Sequence, residues 1–141
     1  MTRARLRNSL GIILILGHFG ILSLLVLGFI KERFLFTEFT TSIALIFPMF
    51  AGYTTAIVRF ILQNPENKKT KEINLTGMYA FISFFFPMLL IFSCGGLILL
   101  KGNVKALTNF ENFKIALAIL ETIFASYVGL VVTPLFKEKG V

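Results

Sequence analysis

Four long apolar runs constrain this chain more than anything else in its sequence. They extend over about 9–30, 41–62, 78–100 and 114–136. Each is near the ~20 residues that an α-helix needs to cross a ~30 Å hydrocarbon core. Lipid offers no partner for a free amide or carbonyl, so only helices or closed barrels satisfy the backbone there. Barrel strands alternate apolar and polar residues over about ten positions. These runs do not alternate. The sequence therefore predicts an all-α integral membrane protein, one domain over 1–141 with four transmembrane helices in an antiparallel bundle. The only sizeable connection is 63–77, where Asn64-Pro65 ends the second helix because proline disfavours helix at the residue before it.

Composition agrees. Charged residues make up 15% and hydrophobic residues 56%, against roughly 25% charge in soluble domains. No stretch is left for a water-soluble enzyme domain. The 14 Lys and Arg outnumber the 7 acids, all of them Glu, for a net charge of +7. The basic residues sit at the ends of the apolar runs, which points to topology and anionic headgroups and away from nucleic acid. Placing both termini in the cytosol puts Arg3, Arg5, Arg7, Arg59, Lys68, Lys69, Lys71, Lys137 and Lys139 inside, and Lys31, Arg33, Lys101, Lys105 and Lys114 outside. That excess of basic residues inside favours this orientation. The first run is too long for a signal-peptide core and is followed directly by Lys31-Glu32-Arg33, so it reads as an uncleaved anchor helix. The setting this suggests is a bacterial inner membrane. Arg59, Lys68, Lys69 and Lys71 are candidates for contact with the inner leaflet or with a soluble cytosolic partner.

Polar residues inside the spans carry the functional argument, because ionisable groups are expensive there. His18 and Glu121 stand out. Glu121 opens a stripe at spacing four with Ala125 and Gly129, and Thr122 lies on the adjoining face. Such a face should meet protein or water. Glu121 reads either as a pore-lining or proton-linked carboxyl or as a neutral Glu bonded to a neighbouring hydroxyl. A His18–Glu121 pair would suit a proton relay. Tyr53 and Tyr127 fall near mid-span, far from the interface where Tyr usually sits, so their hydroxyls need internal acceptors. Small residues that let helices approach closely are Gly17, Gly20, Gly52, Gly95, Gly96, Ala125 and Gly129. Ser42, Pro48, Gly52, Thr55 and Arg59 fall roughly on one side of the second helix. Pro48 and Pro87 lie inside helices and are hinge candidates.

Catalytic chemistry has little to work with. One His, one Cys and no Asp do not make a zinc site, which wants three or four converging ligands. No phosphate-binding or dinucleotide fingerprint and no nucleophile elbow occurs. The expectation is a non-enzyme with no catalytic residues, no cofactor and no metal, whose partners are lipid and either itself or another membrane protein. A homo-oligomeric pore, or a membrane sensor or effector of a bacterial stress or defence system, is the first functional expectation. An accessory subunit of a larger complex and a small proton-linked transporter are the alternatives.

Overall fold

The computed structural model describes residues 2–63 and 76–136, and every regular element among them is helical. Helix α1 spans Arg3–Ile30, α2 Phe36–Gln63 and α3 Gly77–Leu100. A short α4, Lys105–Thr108, precedes α5, Phe110–Tyr127. A π-helical turn, Val128–Val132, joins α5 to α6, Thr133–Phe136. Together α5, the π turn and α6 form one stretch, Phe110–Phe136, so four helices are long and apolar enough to cross a membrane.

Three of these helices start earlier than the apolar runs suggest, and local capping explains it. The Thr2 hydroxyl accepts the Arg5 N–H, so α1 begins before the apolar residues do. Glu38 accepts the Leu35 N–H at 3.0 Å and caps α2 from its third residue. Asn109 accepts the Glu111 N–H at 2.9 Å at the start of α5. The end of α1 is equally well defined. The Arg33 N–H reaches the Gly28 carbonyl, the Glu32 N–H reaches that of Phe29, and Glu32 takes φ 58. This is a Schellman stop with Glu in the left-handed position that glycine usually fills. Gly28 lets the Phe34 ring fold back on the helix, since a Cβ there would lie 2.9 Å from Phe34 Cε2.

Helix α1 packs against α3 and α2, and α5 packs against α3 and α2. The inner stripe of α1 is Leu6, Leu10, Leu14, His18, Ile21, Leu25 and Gly28, spaced by threes and fours. It feeds two clusters of core residues. Leu10, Leu14, Ile57, Phe124 and Leu135 belong to one, and Ile21, Leu25, Ile46, Ile98 and Leu117 to the other. Large apolar residues such as Leu16, Phe19, Phe92, Ile119 and Leu130 face outward, as expected of a surface wetted by lipid.

Candidate functional site

The inner stripes of the helices bring most of the mid-span polar residues together. On α5, Glu121, Phe124 and Tyr127 follow at spacing three and are all buried. On α2, the core stripe is Ile46, Phe50, Tyr53 and Ile57. On α3, Ser83 and Cys94 are buried.

His18 stands at the centre, 1% exposed. Its ring is parallel to Phe50 with centroids 5.8 Å apart, and meets Tyr53 at 5.0 Å and Phe124 at 4.8 Å. Its Nδ1 lies 3.3 Å from the Leu14 carbonyl, one turn back on its own helix. The Tyr53 hydroxyl donates to the same carbonyl at 3.2 Å. The Tyr127 hydroxyl donates to the Ser83 carbonyl at 2.7 Å. Both mid-span tyrosines thus end on backbone carbonyls of a neighbouring helix, which meets the need of a phenol held away from water.

Glu121 is 8% exposed. Its Oε1 lies 4.0 Å from the Cys94 sulfur, which donates to it weakly, and its Oε2 has no partner. No direct hydrogen bond or ion pair joins it to His18, whose Nδ1 faces the Leu14 carbonyl instead. Aromatic rings, with Phe124 in contact, enclose His18. Among the described residues, no three His, Cys, Asp or Glu converge as a metal site would require. The chemistry available here is the holding of a single buried carboxyl with a thiol beside it, and unfilled hydrogen-bonding capacity on Glu121 Oε2 and the Ser83 hydroxyl.

Other sequence candidates fall elsewhere. Thr122 does not enter the core. It is exposed on the outer face of α5, where its hydroxyl donates to the Ala118 carbonyl at 2.8 Å. A hydroxyl satisfied by its own helix has no need to point inward. The polar side of α2 also divides. Ser42 is buried and bonds the Glu38 carbonyl at 2.7 Å, while Pro48, Gly52, Thr55 and Arg59 face out, because Ile46, Phe50, Tyr53 and Ile57 claim the inner stripe. Pro87 is buried in α3. The glycines also separate into two kinds. A Cβ on Gly17 would collide with Ile91, and one on Gly95 would touch Leu24 at 3.4 Å, so these two lie at close helix contacts. Gly20, Gly52, Gly96 and Gly129 have nothing within 4 Å of a Cβ position. Ala125 is half-buried beside Glu121. Lys68, Lys69 and Lys71 lie outside the described residues.

A second polar cluster escapes sequence reasoning. Lys101 reads as an outer anchor, yet its side chain is 4% exposed and its Nζ lies 3.3 Å from Glu38 Oε2. The ammonium also lies 5.3 Å from the Phe34 ring centre and 5.8 Å from that of Phe110. The pair ties the first turn of α2 to the end of α3. Arg33 adds to the tie by donating to the Leu99 carbonyl at 3.1 Å. The capping role of Glu38 is local and legible, but nothing in the sequence pairs it with a lysine 63 positions away.

A shallow opening of about 310 Å³ lies between α2 and the π turn, lined by Pro48, Gly52, Tyr53, Ala56, Val128 and Thr133 among others. The proline and the π turn both loosen regular helix where the opening forms. Comparison of the whole chain with protein-family models, curated proteins and solved structures finds no match.

Proposed function

We propose that the chain is a non-enzymatic membrane protein that works as a homo-oligomer, as a pore-forming or sensor–effector subunit. Its four spans run antiparallel with both termini cytosolic, and a bacterial inner membrane suits its charge distribution. The short connection from α1 to α2 and the ties of Glu38 to Lys101 and Arg33 to Leu99 support the antiparallel order.

One observation carries this reading. Gly20, Gly52, Gly96 and Gly129 leave open space where a side chain would stand, so the chain does not use their close-approach surface itself. In a bilayer, where burial of apolar area drives little, such surfaces are where helices associate. The interior of the single bundle is filled by rings around His18. A conducting path therefore belongs between copies, with Glu121 and the aromatic cluster setting how the bundle responds.

The test is native mass spectrometry of the protein in nanodiscs. A discrete homo-oligomer that Gly52→Leu and Gly129→Leu dissociate is the expected result. A monomer, or a fixed-ratio complex with another membrane protein, overturns it in favour of an accessory subunit. A second reading, a small proton-linked transporter, draws on the partnerless Oε2 of Glu121. It requires uptake that follows a pH gradient and is lost in Glu121→Gln.

A further inference from the structure

Among the described residues, no acid offsets the positive charge at the end of the bundle where α1 begins. Arg3, Arg5 and Arg7 occupy the first turns of α1, and that first turn holds no acid. The described carboxylates are all committed elsewhere. Glu38 holds Lys101, Glu111 holds Lys114, Glu32 follows the far end of α1, and Glu121 lies in the core. None reaches ion-pair distance of these arginines.

Taken alone, this arrangement is electrostatically unfavourable. A helix N-terminus is the positive end of its dipole and disfavours cations. Arg3 and Arg7 also stand four residues apart on one face, where like charges repel. Yet both side chains are held in place. Arg3 Nη2 donates to the Pro134 carbonyl at 3.2 Å. The Arg7 guanidinium lies 3.9 Å over the Phe60 ring. Its Nε is buried and has no acceptor. A buried N–H without a partner is an exception that calls for one.

An oxyanion between the two guanidiniums neutralises the repulsion and sits at the favourable end of the helix dipole. It meets Arg7 at the terminal nitrogens, and the Nε–H gains an acceptor only when the side chain turns off the Phe60 ring. The arginines stand where an apolar span starts, which is the depth of lipid phosphates. Ile61 and Leu62, next to Phe60, expose apolar surface against which acyl chains can lie. We propose that Arg3 and Arg7 bind the phosphate of an anionic phospholipid headgroup. Arg5, more exposed on α1, and Arg59, exposed on α2, supply only diffuse attraction. The site is complete within one copy of the chain, so it stands whether or not the chain self-associates.

The test is native mass spectrometry of the full chain released from mixed micelles containing phosphatidylglycerol and phosphatidylcholine. The wild type retains phosphatidylglycerol preferentially. Each arginine removed from the site lowers that preference about fivefold, on the scale of attraction per basic residue at an anionic surface. Arg3→Gln/Arg7→Gln therefore loses it, while Arg5→Gln keeps it within about twofold. If the double variant fails to insert, Arg3→Gln and Arg7→Gln are judged singly by the same measure. Unchanged retention in these variants, or an equal loss in Arg5→Gln, overturns the site. Displacement of the lipid by inorganic phosphate overturns the lipid assignment and leaves a free-anion site.

Discussion

Two glycines three residues apart on α1 make opposite demands, and the difference between them tests the packing directly. A Cβ on Gly17 would overlap Ile91 Cδ1 and stand 3.0 and 3.3 Å from Ile91 Cγ1 and Cγ2. Carbon pairs are comfortable at about 3.5–4.0 Å. Turning the Ile91 tip relieves only the first contact, because Cγ1 and Cγ2 are fixed by the torsion nearest the backbone. Gly17→Ala must therefore push α1 from α3 or force Ile91 off its rotamer, at about 1–3 kcal/mol. Gly20 has open space at the same point. Both substitutions gain whatever helix propensity alanine brings, so that gain cancels in the comparison. In micelles that hold the chain as a monomer, where the Gly20 surface meets no second copy, the difference between Gly17→Ala and Gly20→Ala is then about 2 kcal/mol of bundle stability. Cys94 provides the assay. It is the chain's one thiol and is 3% exposed, three residues beyond Ile91 on α3. Its labelling by a maleimide in mildly destabilising mixed micelles reports the open population. About 2 kcal/mol corresponds to roughly 30-fold faster labelling of Gly17→Ala than of Gly20→Ala. Equal rates would refute the α1–α3 contact at this position.

The ion pair of Lys101 and Glu38 predicts asymmetric losses. Lys101→Met strands a carboxylate in a mostly buried site and costs about 3 kcal/mol, whereas Lys101→Met with Glu38→Gln costs less than the single change. A double-mutant cycle by the same thiol assay checks this, and additive losses would show the pair to be uncoupled. The two tyrosines should differ as well. Tyr127→Phe loses a 2.7 Å bond and about 1 kcal/mol. Tyr53→Phe loses less, because its 3.2 Å bond shares the Leu14 carbonyl with His18; a larger loss at Tyr53 would contradict that ranking.

What the sequence reveals here follows from what lipid penalises. Unpaired backbone is forbidden in the membrane core, so runs of apolar residues locate all four spans. Their ends are blurred because Arg3 or Phe36 can be helical at the interface at little cost once Thr2 or Glu38 caps the helix. Faces are harder to read, since the core and the lipid are both apolar: Leu14 is buried and Leu16 exposed with the same chemistry. Tyr53 and Tyr127 are easier to place, because a phenol hydroxyl at mid-span requires an acceptor. Thr122 misleads, because its hydroxyl finds an acceptor on its own helix. The contact between Cys94 and Glu121 and the burial of Lys101 depend on which helices become neighbours, and no local pattern encodes that.

The π turn at Val128–Val132 acts as a phase shifter in the last span. At 100° per residue, an unbroken α-helix would place Phe136 about 60° round from Glu121, on the side where Thr122 faces lipid. The wider winding of an i→i+5 turn holds the rotation back by roughly one residue. Phe136 thereby swings inward, onto Phe60 and beneath Gly11. The last span is thus a long helix of 18 residues and a terminal turn of 4, set at different angles on one axis. Rewinding the π turn to α would rotate everything beyond it by about a quarter of a revolution. The Phe136 contacts and the Arg3 bond to Pro134 oppose that rotation, so the state of one turn deep in the span is mechanically coupled to the arginine-bearing end of the bundle.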